Sequence, residues 1–322
     1  MVAIARIPLA ILDDYQGVAL SLGPWRDLGD AVDVTVFTES LDGDDVLARQ
    51  LAPFEIIVAM RERTPFPRAR LERLQKLRLL VTTGMSNASI DLDAARDLDI
   101  TVAGTGALTA PTVELTWGLI LAVTRNISVE AQAIRDGGWQ HTIGPELAGR
   151  TLGIVGLGRV GTRVAAIGRA FDMRVIAWSE NLRADAALTA GAEAVAKHEL
   201  LAQSDVVTIH TRLSERTRHL IGAAELDRMK STAYLVNTSR GEIVDEAALL
   251  AALHEGAIAG AALDVFEREP LPSDHPLRTA PRALLTPHLG YVSIGSFETF
   301  FRDAADDIAT YLRDEPVRVL NG

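Results

Sequence analysis

The sequence has no cysteine among its 322 residues. Disulfides, thiolate nucleophiles and zinc–thiolate centres are therefore excluded, and a reducing, cytoplasmic compartment is the default. Positive charge is also short. The 32 Lys and Arg stand against 43 Asp and Glu, for a net charge of −11, and no basic block occurs. That argues against nucleic acid and against an anionic membrane surface as partners. No apolar run reaches the roughly 20 residues of a membrane span. The opening MVAIARIPLAILDDYQ has one Arg and an apolar run that stops at Asp13. It reads as a first strand, not as a signal peptide or membrane span. No internal repeat or low-complexity segment stands out. No His/Asp/Glu spacing points to a metal site, so none is expected.

What is present is core material: 48% of residues are hydrophobic and 23% charged, the balance of a globular chain. Its length suggests two domains. Short β-branched runs alternate with helix-length segments. IPLAIL, VDVTVF, EIIVAM, LRLLVTT and the weaker ITVAG read as strands, with PRARLERLQKL among the intervening helices. A long helix is expected over APTVELTWGLILAVTRNISVEAQAIRDG, with Pro111 near its start and Gly137–Gly138 ending it. A second series follows: TLGIVGLG, MRVIAWS, DVVTIHT, AYLVNTS, IAGAALDVF and ALLTPH. Buried parallel strands read as continuous apolar runs, as these do. SFETFFRDAADDIATYLRDEP has the pattern of a closing amphipathic helix that returns to the first domain. The alternation predicts an α/β protein with two doubly wound parallel sheets.

TLGIVGLGRVGTRVA holds Gly156-x-Gly158-x-x-Gly161. The motif is weak alone, but here it follows a strand and opens a helix. Gly156 permits the tight turn, Gly158 lets backbone approach a pyrophosphate, and Gly161 allows close helix–strand packing. The fingerprint expects an acid about 20 residues on, holding the ribose 2′-OH. In MRVIAWSENLR that position is Ser179, with Glu180 adjacent and Arg183 three further on. Glu180 could bond the ribose; Ser179 with Arg183 could accept a 2′-phosphate. A nicotinamide dinucleotide is expected, NAD rather than NADP because an acid is close by. His210 ends the VVTIH strand and either lines the adenosine site or merely packs. His141, His219 and His275 read as surface or loop residues. His288, alone in LLTPHLG, is either a satisfied structural residue or a proton carrier.

Five motifs stand in order: GPELAGRTLGIVGLGRVG, SDVVTIHTRLSERTRHLI, LVNTSRGEIVDEAAL, AALDVFEREP and LLTPHLG. Together they resemble the D-isomer-specific 2-hydroxyacid dehydrogenase family, which includes phosphoglycerate dehydrogenases and glyoxylate or hydroxypyruvate reductases. The resemblance covers nearly the whole chain. It implies that Arg240 binds the substrate carboxylate and carbonyl. It makes His288 the proton donor and acceptor and Glu269 its partner. Asp264 would contact the nicotinamide carboxamide. Arg159 and Val160 would lie near the pyrophosphate, and Thr238 would join the cofactor-binding positions. Backbone N–H groups near Gly84 and Met85 would meet the carboxylate. Arg61, in VAMRERTPF, would meet a second anionic group on the substrate. Arg63, two residues on along an extended segment, would face the same way.

The chemistry agrees with that implication. Reducing a 2-oxo acid needs a cation with a fork of donors, an acid that delivers a proton, and a carboxylate that orients the imidazole. Arg240, Glu269 and His288 all fall at or beyond the C-terminal ends of expected strands, the ligand edge of such sheets. Two departures lie on the substrate side. Ser86, Ala88 and Ser89 replace a second glycine and an Asp-Asn pair, and Gly104-Thr105-Gly106 replaces an Asn-x-Pro. Arg212 stands for a proline. The resemblance thus leaves the substrate's side chain open.

The expected molecule is an NAD(P)-dependent D-2-hydroxyacid dehydrogenase working as a 2-oxo acid reductase. A Rossmann cofactor domain, 102–288, is inserted in a flavodoxin-like substrate domain made of 1–101 plus 289–322. The site is expected in a cleft between them, closing to exclude water. A homodimer through Thr109 to Gly138 is expected, with no C-terminal regulatory domain. The alternatives are an NAD(H)-sensing binding protein like the C-terminal-binding-protein corepressors, and a formate-dehydrogenase-like enzyme. Against the first stand an intact catalytic set and the lack of a disordered tail. Against the second stands Glu269, where that branch has a neutral Gln.

Overall fold

The computed structural model describes residues 6–41 and 43–322. The first five residues of the N-terminal segment read above lie outside this range. The chain divides into two units. One contains the residues up to Leu108 together with Ser293–Gly322, and the other is Thr109–Val292.

In the first unit, β1 (Ile7–Ile11), β2 (Val32–Val36), β3 (Ile56–Ala59), β4 (Leu79–Thr82) and β5 (Thr101–Gly104) form an all-parallel sheet in the order β2-β1-β3-β4-β5. This is the flavodoxin-like order. β3 and β4 are buried along their whole length, which is why they read as unbroken apolar runs. The closing helix, Ile294–Tyr311, packs on β4 and β5 through its apolar face, with Phe297, Phe300 and Phe301 buried. The chain end then ties to β5: Leu320 N donates to Val102 O, and the Asn321 side chain bonds both Val102 N and Ile100 O.

The boundary expected at residue 102 moves to Leu108/Thr109, and the one at 289 moves to Val292/Ser293. The reason is pairing. β5 is the edge strand of the first sheet, paired with β4 and bridged through Ala103 to Val319 near the chain end.

In the second unit, β6 (Thr151–Val155), β7 (Arg174–Trp178), β8 (Glu193–Ala194), β9 (Val206–Ile209), β10 (Tyr234–Asn237), β11 (Gly260–Leu263) and β12 (Ala283–Leu285) are all parallel. Their order is β12-β11-β10-β9-β6-β7-β8. The chain starts in the middle, winds outward to β8, then crosses back to β9, as in a Rossmann sheet. Successive residues fall in different apolar clusters: Ile154, Val206 and Val236 in one, Val155, Val207 and Leu235 in the other. Both faces are therefore covered.

The long helix expected from Pro111 to Gly138 is two helices, Ala110–Thr124 and Ile127–Arg135. Asn126 breaks it at φ +52°, a left-handed conformation that Asn tolerates better than most residues. PRARLERLQKL holds only one helical turn, Arg68–Leu71.

Candidate active site

The glycine-rich turn joins β6 to the helix Arg159–Ala170. Gly156 has φ +103°, and a Cβ there would sit 2.6 Å from Thr211 N. A Cβ on Gly161 would sit 2.2 Å from Gly156 O, so the helix packs against the turn only with glycine. Nothing lies within 4 Å of a Cβ on Gly158. That open space at a helix N-terminus fits a pyrophosphate. The turn also lies at the topological switch, between outward-winding β7 and crossing-back β9. Arg159 is exposed and Val160 half-buried beside it.

At the end of β7, Ser179 faces inward and its Oγ accepts from Leu157 N at 3.0 Å, bracing the turn. Glu180 is exposed. Arg183 is held by Asp185 through two bonds of 3.0 and 2.7 Å. His210 lies beside Gly156, its Nε2 at 3.0 Å from Thr208 Oγ1. Burial pushes its pKa down to about 3, so the ring is neutral.

Three neighbouring strands, β10, β11 and β12, carry the three residues expected to react. After β10, the buried Asn237 makes a side-chain-to-backbone turn: Oδ1 accepts from Ser239 N and Nδ2 donates to Arg240 O. The Arg240 side chain is partly buried, with Nη1 donating to Ser239 O at 2.7 Å. After β11, Glu269 Oε1 accepts from Phe266 N at 2.9 Å. Its Oε2 lies 2.6 Å from His288 Nδ1. A carboxylate only accepts, so Nδ1 carries the proton and Nε2 faces away from Glu269. The edge of the Tyr291 ring borders the imidazole, with centroids 5.3 Å apart.

His288 itself has φ +54°. That conformation costs about 1–2 kcal/mol for a residue with a Cβ and persists only where the surroundings enforce it. Asp264 supplies much of the enforcement. It is fully buried, and its Oδ1 accepts from Thr286 Oγ1 (2.6 Å) and Leu289 N (2.7 Å), its Oδ2 from Gly290 N (2.8 Å). Burial pushes its carboxyl up, against those bonds and the nearby His288. The side chain expected at the nicotinamide carboxamide thus also holds the turn that bears His288. Thr238, expected at the cofactor, is buried with its hydroxyl 2.9 Å from Thr116 Oγ1.

In the first unit, the Arg61 region differs from expectation. Arg61 has φ +52°, so residues 61–63 turn and the two arginines diverge. The Arg61 guanidinium lies over Gly84, donates to Thr83 O at 3.0 Å and approaches Glu62 at 3.6 Å. Arg63 instead covers the Tyr15 ring at 4.3 Å and donates to Asp13 O. The Gly84 N–H, expected to meet a carboxylate, donates to Thr105 Oγ1 at 2.8 Å, because Thr105 stands in the altered Gly-Thr-Gly stretch. Met85 is exposed at the same strand end.

His141 and His219 are exposed. His275 is not a plain loop residue: it is half-buried, with Nε2 at 2.8 Å from Glu246. It pins the segment bearing Glu269 to the helix Glu246–Glu255. Three supporting residues carry no motif of their own: Asn237 and Thr112 bond backbone groups of the turns, and the Thr286 hydroxyl donates to the Asp264 carboxylate. For Asn237 a signal existed, since Asn before a Ser-Arg-Gly turn favours this side-chain bond.

Among the described residues, no helix is long and apolar enough to cross a membrane. Residues 117–290 match the family model described as D-isomer specific 2-hydroxyacid dehydrogenase, NAD binding domain. A glyoxylate reductase of Aeropyrum pernix is 45% identical over 228 residues, 68% of each chain. A D-3-phosphoglycerate dehydrogenase of Methanocaldococcus jannaschii is 37% identical over 80% of this chain and 50% of its own. The crystal structure of a phosphoglycerate oxidoreductase from Vibrio cholerae matches with a TM-score of 0.91 and 36% identity, over 96% of this chain and 100% of that one. The expected dinucleotide turn and sheet order therefore have a named relative across the chain, and the cofactor is a nicotinamide nucleotide. An oxidoreductase acting on CH–OH donors, the chain belongs to the D-isomer specific 2-hydroxyacid dehydrogenase family.

Proposed function

We propose that the protein reduces a small 2-oxo acid to the D-2-hydroxy acid, with NADH as reductant. The observation that carries this reading is the 2.6 Å Glu269–His288 bond on strands adjoining the Arg240 turn. Arg240 would hold the carboxylate and polarise the carbonyl. His288 Nε2 would give its proton to the carbonyl oxygen in reduction and take it back in oxidation. Glu269 would orient the ring and stabilise the imidazolium. Backbone N–H groups at Gly158–Gly161 would hold the pyrophosphate; the bound nicotinamide would supply or take up the hydride. The first unit would be the substrate domain and Thr109–Val292 the cofactor domain. Steady-state oxidation of NADH with a panel of 2-oxo acids tests this. Turnover supports it, and NADH binding without turnover would favour a cofactor-sensing protein.

NADH should be preferred over NADPH. Glu180 is exposed beside the ribose position, whereas Arg183 is already engaged by Asp185. A carboxylate accepts from a ribose diol and repels a 2′-phosphate. Glu180→Ala should erode the preference in kcat/KM. Equal values for both cofactors in wild type and variant would mean that Glu180 does not read the 2′ position.

Arg61 should favour substrates with a second anionic group. Its partly buried guanidinium lies at the C-terminal end of β4. Arg61→Ala should cost about 2 kcal/mol or more, on the order of 30-fold in kcat/KM, for hydroxypyruvate phosphate or 2-oxoglutarate. Glyoxylate should be little affected. A uniform loss across all three acids would assign Arg61 to folding alone.

A homodimer through the cofactor domain fits the exposed Ile127, Val129, Ile134, Trp139 and Ile143. Exposed apolar side chains concentrated in one segment are what a subunit interface would cover. A solution mass of a single 34.6 kDa chain would contradict it.

A further inference from the structure

The two catalytic turns share one support. Thr112 lies in the first turn of the helix Ala110–Thr124, and its Oγ1 donates to Gly290 O at 2.8 Å. Gly290 N donates to Asp264 Oδ2. The residue that closes the His288 turn is therefore gripped on both sides, by β11 and by the helix. One turn later, Thr116 Oγ1 lies 2.7 Å from Thr112 O and 2.9 Å from Thr238 Oγ1. A hydroxyl has one proton. Thr116 gives its own to Thr112 O, so Thr238 donates to Thr116. Thr238 is two residues before Arg240. An ordered chain thus runs from the Arg240 turn through Thr238, Thr116 and Thr112 to the His288 turn.

Plain helix packing does not require this arrangement. Thr116 is fully buried, where Val would pack as well and leave no hydroxyl to satisfy. Thr is also a weaker helix former than Leu or Ala. The hydroxyls are placed where both catalytic turns come within reach of one helical face.

We infer that Thr112 and Thr116 are positioning residues that hold Arg240 and His288 at a fixed separation. This rests on the catalytic reading of those two residues. The structural part, that Thr112 holds the His288 turn, stands apart from it and has its own readout.

The test compares Thr112→Val, which keeps the shape and loses the hydroxyl, with Thr112→Ser, which keeps the hydroxyl. Turnover is followed with the best 2-oxo acid of the panel, and NADH binding by fluorescence. Misplacement of reacting groups lowers the chemical step more than binding, so Thr112→Val should lose about ten-fold or more in kcat. NADH affinity and melting temperature should stay near wild type. Thr112→Ser should recover most of the loss. The second readout is the downfield proton resonance of His288 Nδ1–H on Glu269, assigned by its disappearance in His288→Gln. It should broaden or vanish in Thr112→Val and persist in Thr112→Ser. A wild type without turnover would refute the catalytic reading, while this resonance would still decide the clamp. A Val variant that keeps the resonance, or a Ser variant that loses as much as Val, would overturn the inference.

Discussion

His288→Gln is expected to lose about 10²–10⁴-fold in kcat while NADH still binds, because general acid–base groups contribute on that order. The substitution keeps a polar side chain of similar size. Under the proposed mechanism it removes the group that exchanges a proton with the carbonyl oxygen. The ring is held at both ends: Glu269 fixes Nδ1, and the turn at residues 286–290 fixes the backbone. NADH binding should persist because the glycine-rich turn and β7 make none of these contacts. Glu269→Gln should fall between wild type and His288→Gln, since the amide can still bond the ring but brings no charge. The measurement is kcat at saturating substrate beside the NADH dissociation constant. Near-normal turnover in His288→Gln would make His288 a structural residue.

Arg240→Gln is expected to lower kcat/KM by about 10²–10³-fold, the usual cost of removing a preorganised donor at a developing charge. Arg240→Lys should recover only part of this. Lysine restores a point charge without the planar fork that meets a carboxylate on two bonds. The turn is braced independently by Asn237 through Ser239 N and Arg240 O. The substitution should therefore leave the fold and NADH affinity intact. Comparing kcat/KM for a 2-oxo acid with the melting temperature separates the two effects. If Arg240→Gln keeps wild-type kcat/KM, the carboxylate is held elsewhere. If stability falls in step with activity, Arg240 serves the fold.

The strands were legible because both faces of each sheet are covered. Short, β-branched, largely apolar runs such as IIVA and LLVT, bounded by turn residues, read as buried strands. β8 was not, since Glu193–Ala194 is too short to leave a pattern. The helix break at Asn126 was hidden because apolar spacing continues on both sides, and one left-handed residue changes no composition. The place of β5 in the first unit was hidden because its bridge to Val319 joins it to a chain end distant in sequence.

Arg240, Glu269 and His288 were readable as motifs in order, and they lie beyond the ends of three adjacent strands. What supports them was hidden. Asp264 and Thr112 bond the backbone of the His288 turn, and the Thr286 hydroxyl donates to Asp264. Such bonds depend on which backbone groups a turn leaves unpaired, which residue spacing does not encode. The shared facing expected of Arg61 and Arg63 does not hold for a related reason: alternation along a strand ends where Arg61 enters a left-handed turn.

As proposed, Arg240, Glu269 and His288 would form one proton-transfer and carboxylate-binding centre acting on 2-oxo acids. The most direct measurement is NADH oxidation by the wild type with glyoxylate, hydroxypyruvate, pyruvate and 2-oxoglutarate, repeated with His288→Gln. The account predicts turnover of at least one acid by the wild type, D configuration in the product, and a drop on the order of 10²-fold or more in the variant at unchanged NADH affinity. NADH binding without turnover of any acid, or equal turnover by wild type and variant, would contradict it.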